Sequence, residues 1–338
     1  MIAKERGPRG VPTGESCGQG RFILPSNLEA SLATADRVRE VQLAWRDEYE
    51  CVEVAGCQLV YADALEWLAS VPADSIHGVV TDPPYGLLEY RPDQLAKMAA
   101  GRGGVWRLPP AWDGHERKPL PRFTVLSPAD LDTLERFFDV LASRLIRVLV
   151  PGGHVFIATN PLVSHRVYLP FLRAGFEKRG ELIRLVTTLR GGDRPKNAHV
   201  EFSDVTVMPR STWEPWGIFR KPVQGRVQDN LRVWKTGGLR RTSPEEPFKD
   251  VFKAGIASRA EREIAPHPSL KPQKLLRHLV RAVLPLGEGV ILDPFMGSGS
   301  TLAAAAALKI RAIGIENKRD YFEMAKAAIP RLADLKEP

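Results

Sequence analysis

The sequence predicts an α/β fold built on a doubly wound, mostly parallel sheet. Short apolar runs alternate with helical repeats along much of the chain, the pattern of strands crossed over by helices. The run Ile76–Thr81 is apolar enough to be buried on both faces, as a strand between two helix layers must be. Two such runs end in a carboxylate followed by proline, Asp82-Pro83 and Asp293-Pro294. Open α/β sheets bind ligands at such strand ends. The chain of 338 residues suits one large domain, or one domain with a sizeable insertion. With 43% hydrophobic and 26% charged residues it has the composition of a soluble globular protein.

The elements follow in order. Residues 1–22 are rich in Gly, Arg and Pro, lack an apolar core segment and read as a flexible tail, not a signal peptide. Gly56–Ala62 reads as a strand, Ala64–Ser70 as a helix and Ile76–Thr81 as a second strand. Gly86–Phe123, rich in Gly, Pro, Trp and charge, reads as a long loop, and loops of that length are usually functional. Ser127 and Pro128 open a helix with Leu131, Leu134, Phe138, Leu141, Leu145 and Leu149 at helical spacing, stopped by Pro151-Gly152-Gly153. Val155–Ala158 is a strand and Val163–Ala174 a helix. Arg190–Ala265, with Trp213, Trp216 and Trp234 and little periodicity, reads as an irregular subdomain with a few short strands. Periodicity then returns: helix Gln273–Leu284, strand Val290–Leu292, Ala-rich helix Thr301–Leu308, strand Ala312–Ile315 and helix Arg319–Leu335. The implied organisation is 50–189, 190–262 and 263–338, the middle segment inserted between two halves of one sheet domain.

Residues 178–259 hold 17 Lys plus Arg against 9 Asp plus Glu, an excess equal to the net charge of +8 for the whole chain. That is the footprint of a phosphate-contacting surface, and equally of a solvated basic face. Cys17, Cys51 and Cys57 are too sparse for a disulfide framework or a zinc site and fit reduced thiols in a cytoplasmic protein; no metal is expected. No apolar run approaches the roughly 18 residues of a membrane span.

Asp82-Pro83-Pro84-Tyr85 follows a buried strand and presents a carboxylate, a stiff backbone carbonyl and a ring. An aromatic amine is a poor nucleophile because its lone pair is delocalised. Two acceptors facing its N–H groups, the Asp82 carboxylate and the Pro83 carbonyl, would draw the nitrogen towards tetrahedral geometry. Prolines fix the carbonyl and add no competing donor, and Tyr85 can stack on a base turned out of a duplex. Without that chemistry the motif would be a Pro-Pro turn. Asp293-Pro294-Phe295-Met296-Gly297-Ser298-Gly299-Ser300-Thr301 joins a strand to a helix, where glycines admit a ligand and the helix N-terminus favours an anion. No Gly-Lys-Ser/Thr is present in it, which excludes a P-loop. Glu316, at the next strand end, suits a ribose diol. Only 22 residues follow Glu316, so the remaining strands of a nucleoside-binding sheet must come from the N-terminal half. Asp63 can then receive an adenine amine, or simply cap a helix. In His267-Pro268-Ser269-Leu270-Lys271-Pro272, Lys271 can neutralise a ligand carboxylate, or the segment is a turn before a helix.

These three motifs, in this order, resemble those of the DNA amino-methyltransferases, in the permuted β group where the catalytic motif precedes the cofactor loop. The resemblance covers about residues 57–329. It implies a Rossmann-like, seven-stranded methyltransferase sheet with an inserted target-recognition subdomain, and S-adenosyl-L-methionine as cofactor. Asp82, Pro83, Pro84 and Tyr85 would form the catalytic pocket. Asp63, Lys271, Asp293, Phe295, Gly297, Ser298, Gly299, Ser300 and Glu316 would surround the cofactor. The middle segment would meet double-stranded DNA through Arg190, Arg194, Lys196, Arg226, Arg232, Arg240 and Arg241. Asp at the first catalytic position favours adenine N6 over cytosine N4. A homodimer and a cognate restriction endonuclease are further partners the family admits. Methylation of RNA or a protein amide, and a non-catalytic DNA-binding subunit, are rival readings; amide-methylating relatives carry Asn where Asp82 stands, and an intact motif argues against a relict. Gly-Ser-Thr in place of the frequent Gly-Thr-Thr and the long loop after Tyr85 are the departures, and neither touches the proposed acceptors.

Overall fold

The computed structural model describes residues 48–84, 128–186, 195, 197–207, 209, 212–267 and 269–336. Among these, nine strands form one sheet: β1 (Glu50–Val54), β2 (Cys57–Tyr61), β3 (Ile76–Thr81), β4 (Leu149–Ala158), β5 (Glu177–Leu185), β6 (Trp213–Arg220), β7 (Val251–Lys253), β8 (Val290–Asp293) and β9 (Arg311–Glu316). Their order is β1-β2-β9-β8-β3-β4-β6-β5-β7. The run from β2 through β9, β8 and β3 to β4 is parallel, and β6 is antiparallel to both β4 and β5. The expected count of seven is thus corrected to nine. The additions are edge strands. β1 forms a hairpin with β2, turned at Ala55 and Gly56, both at positive φ as a tight hairpin turn requires. β7 pairs only with β5.

Helices cover both faces. On one lie α1 (Ala64–Ser70), α2 (Pro128–Val148) and α3 (Ser164–Arg173), packed over Val60, Val79, Val155, Ile157, Leu292 and Ile315. On the other, α6 (Gln273–Val283), α7 (Ser300–Ala307) and α8 (Arg319–Ala333) cover Leu59, Val80, Phe156, Ile291 and Ala312. Successive residues of a strand point to opposite faces, so Val79 and Val80 enter different cores, and a near-continuous apolar run is what the central strands need. Between them in sequence, α4 (Val227–Trp234) and α5 (Arg259–Ile264) belong to the middle segment.

Two expectations are corrected. The long helix ends at Val148, and Leu149 already pairs in β4, which runs through Pro151-Gly152-Gly153. These residues do not stop a helix. They make an irregularity in the strand, where the pairing advances five positions, from Leu149 to His154, while β3 advances two, from Ile76 to Gly78. Gly152 sits at φ +78 with Asn230 Nδ2 and the Gly237 backbone against it. Asn230 donates to Pro151 O at 3.0 Å and thereby ties α4 to the sheet. The segment 190–262 is also not irregular throughout, because β6 lies inside the sheet with Trp216 and Phe219 fully buried. Pro215 and Gly217 had disguised it. The Pro215 carbonyl accepts from Thr159 N, and Gly217 lets the Tyr168 ring approach closer than a Cβ would allow. The Ser127 cap and the loop 86–123 fall outside the described residues.

Gly56 in the hairpin turn and Gly152 in β4, both at positive φ, give a paired prediction. Gly56→Ala, with open space around a positive φ, should cost about 1–2 kcal/mol. Gly152→Ala adds a clash, since its Cβ would lie 2.5 Å from Asn230 Nδ2, and should cost about 1–3 kcal/mol more. Urea unfolding of both variants measures the difference; equal losses would show that the Asn230 contact is dispensable.

Candidate functional site

β2, β9, β8 and β3 run the same way, so their carboxyl ends share one edge of the sheet. That edge carries Asp63, Glu316, Asp293 and Asp82, four acids 253 positions apart at the extremes. Antiparallel β6 starts there, and the loop 265–272 enters α6 from there, adding Glu214 and Lys271.

Asp293 is buried at the end of β8. Its Oδ1 accepts from Thr81 Oγ1 at 2.8 Å and from Phe295 N at 3.1 Å. Burial pushes its pKa up to about 6; hydrogen bonds from Thr301, Thr81 and Phe295 oppose the shift, and the neighbouring Asp82 charge adds to it. Glu316 is held on both oxygens, Oε2 by Gly297 N at 3.0 Å and Oε1 by Lys318 N at 2.8 Å. Burial raises its pKa too, against those amide bonds. Gly297 and Gly299 take positive φ of +52 and +80. Gly299 is the residue before α7, and a Cβ on it would lie 2.5 Å from Ile329 of α8. Ser298 and Ser300 are buried beside them, and half-buried Phe295 leans on Phe137 of α2, ring centroids 5.8 Å apart. His267 stands against Gly297 and edge-on to Tyr321; burial, then Lys271 and Lys318, push its pKa down to about 4.

Asp82 follows β3, with Pro83 buried and Pro84 exposed. Its Oδ2 accepts from Lys271 Nζ in a close ion pair. Lys271, expected to face a ligand carboxylate, here meets the carboxylate of Asp82. Its ammonium also lies 4.0 Å from Glu214 Oε2. Burial lowers the Lys271 pKa, but Asp82 and Glu214 together outweigh that and the net shift is upward. Glu214 accepts from Trp216 Nε1 at 2.8 Å and from Arg184 Nη1 at 3.2 Å. Asp63 caps α1, its Oδ1 accepting from Leu65 N at 2.8 Å and Glu66 N at 3.0 Å.

The structure thus gathers Asp82, Pro83, Pro84, Asp293, Phe295, the glycine loop, Glu316, Asp63 and Lys271 at one edge. Tyr85, Arg190, Arg194 and Lys196 lie outside the described residues. Arg226, Arg232, Arg240 and Arg241 are not brought to this edge. α4, with Arg226 before it and Arg232 on it, is tied through Asn230 to the start of β4, and both arginines pair with Asp229. Arg240 N donates to Ala282 O, and Arg281 to Arg241 O, at the far end of α6 from Lys271. Glu214, Arg184 and Thr81 went unread in the sequence. An acid set among tryptophans in Trp213-Glu214-Pro215-Trp216 was the available signal for the first of them.

A parallel α/β sheet with acids and a glycine loop at its carboxyl edge is the layout of a nucleoside-binding enzyme. Residues 76–327 match the DNA methylase model of the N6/N4 methyltransferases, and the chain belongs to this family. It is 33% identical over 274 residues to the type II methyltransferase M2.DpnII of Streptococcus pneumoniae, covering 79% of this chain and 87% of that one. It is 35% identical to the type II methyltransferase M2.LlaDCHI of Lactococcus lactis subsp. cremoris, with the same 79% and 87% coverage. In fold it is similar to the PvuII DNA methyltransferase, a cytosine-N4-specific enzyme, with a TM-score of 0.53 at 16% identity, covering 84% of this chain and 88% of that one.

The raised carboxyl gives a prediction with a definite sign. A carboxyl whose folded pKa exceeds its unfolded value of 3.8 contributes stability that is complete below that pH and lost as pH rises through about 6. Asp293→Asn should therefore flatten the fall in stability between pH about 4 and 6.5, by on the order of 2 kcal/mol. Denaturant unfolding across that range measures it; parallel profiles for the two proteins would show that burial of Asp293 is not felt.

Proposed function

We propose that this chain transfers a methyl group from S-adenosyl-L-methionine to the exocyclic amine of a base in double-stranded DNA, adenine N6. The observation that carries the reading is Asp82, set at the end of β3 in the same acid-lined edge as the glycine loop and Glu316. An amine bound there has a carboxylate for one N–H and the Pro83 carbonyl for the other, with Tyr85 next in the chain as the stacking ring. The pocket's work is then to hold the nitrogen lone pair in line for attack. Asp in the first catalytic position supports adenine over cytosine.

The cofactor supplies the methyl group as a sulfonium. The residues fit it. A carboxylate has about four lone-pair sites, and two backbone amides occupy only part of those on Glu316, so it can also accept from ribose hydroxyls. The amide end of α7 after Gly299 suits a carboxylate. Asp63 can serve the adenine end while capping α1. For DNA, Arg190, Arg194 and Lys196 lie in the connection between β5 and β6, both of which meet it at the Asp82 edge. The segment's positive excess supports a phosphate contact there. Arg226, Arg232, Arg240 and Arg241 are left out of the proposed face.

The test is incubation of the protein with labelled S-adenosyl-L-methionine and duplex DNA, then digestion to nucleosides and mass spectrometry. N6-methyladenine is expected, and N4-methylcytosine would overturn the base assignment. Asp82→Ala should lower transfer by about 100- to 1,000-fold, with cofactor affinity by calorimetry within a few-fold of wild type. Equal loss of binding and transfer would make Asp82 structural.

A further inference from the structure

We infer that Lys271 is a positioning residue for Asp82 and that Glu214 holds Lys271 in place. This rests on the methyl-transfer reading of the site. Proline fixes the backbone after Asp82 but not the torsions of the Asp82 side chain, and an amine acceptor works only if its oxygen points at the N–H. Lys271 Nζ on Oδ2 anchors one corner of the carboxylate, which sets the plane in which Oδ1 lies.

Lys271 is itself fixed. Pro272 follows it and leads into α6, and only 12% of its side chain is exposed. Its ammonium stands between two acids, in contact with Asp82 and 4.0 Å from Glu214. Glu214 cannot follow a moving lysine, because Trp216 Nε1 and Arg184 Nη1 grip both its oxygens. Arg184, 5% exposed, is anchored to the carbonyls of Ala254 at 3.0 Å and of Gly255. The result is a chain of alternating charge, Asp82, Lys271, Glu214, Arg184, that spans β3, the loop before α6, β6 and β5 and sums to zero. A lysine kept to hold a ligand carboxylate would have little reason to sit between two protein acids. The upward shift of Lys271 agrees with a charge fully engaged by its neighbours.

The test compares Lys271→Met, Lys271→Arg and Glu214→Gln with wild type in kcat, KM for duplex, and equilibrium affinity for S-adenosyl-L-methionine. Lys271→Met should lower kcat by about a hundredfold, the effect of a misplaced reacting group, with KM and cofactor affinity within about threefold. Lys271→Arg, which restores a cation, should recover part of the loss. Glu214→Gln keeps the shape and the Trp216 bond but removes the charge, and should fall between wild type and Lys271→Met. Cofactor affinity that weakens in step with kcat would assign Lys271 to the cofactor, and a wild-type rate for Glu214→Gln would break the chain; either overturns the inference. A double-mutant cycle of Lys271→Met with Asp82→Asn in urea unfolding reads the pairing without turnover. A wild-type protein that methylates no duplex would overturn the functional reading alone, and absence of coupling in the cycle would overturn the pairing alone.

Discussion

The site depends on one short seam. β3 and β8 come from parts of the chain more than two hundred positions apart, and only two residue pairs, Gly78 with Ile291 and Val79 with Leu292, join them in register. Side chains extend the seam at both ends. His77 Nδ1 accepts from Val290 N at 3.2 Å below it, and Thr81 Oγ1 donates to Asp293 at 2.8 Å above it. Gly78 is the reason α6 can press on it, since a Cβ there would lie 2.6 Å from Val283 Cγ2. A slip of one residue would turn Val79 and Val80 into each other's cores and separate Asp82 from Asp293. Asp82 and the glycine loop therefore share one edge only because this register is overdetermined.

The same seam concentrates negative charge. Asp82, Asp293, Glu214 and Glu316 collect at one edge, and burial raises the pKa of Asp293 and Glu316. Two solutions appear side by side. Asp293 and Glu316 are satisfied by neutral donors, hydroxyls and backbone amides, which stabilise a carboxylate without bringing a countercharge to where a cationic ligand would bind. Asp82 and Glu214 are balanced by Lys271 and Arg184. A buried charge tolerates removal of its partner poorly, so the second group works as a unit and the first does not require one.

How legible this was in the sequence follows from how local each feature is. β3, β8, β9 and the helices after them were readable because burial on both faces imposes continuous apolar runs and helical spacing. Asp82 and the glycine loop could be picked out as candidates because each motif is written in adjacent residues. β6 was not, because Pro215 and Gly217 answer to Thr159 and Tyr168, neighbours that no local pattern reveals. Pro151-Gly152-Gly153 read as a helix stop for the same reason: Gly152 fits Asn230 and Gly237, about eighty positions away. The pairing of Lys271 with Asp82 was not readable, since a motif tells which residues can gather but not which of several acids a lysine will meet.

Charge shows the limit most plainly. The basic excess of residues 178–259 suggested one DNA surface, yet β5, β6 and β7 of the sheet run through that stretch. β6 begins at the Asp82 edge and ends at the opposite edge, so residues before Trp213 and residues after Arg220 emerge on different sides of the protein. Arg226 and Arg232 share Asp229 there, and Arg220 is buried against Glu177. A charge count over a window assumes that the window has one face. A strand within it removes that assumption, because β6 carries the chain from one edge of the sheet to the other.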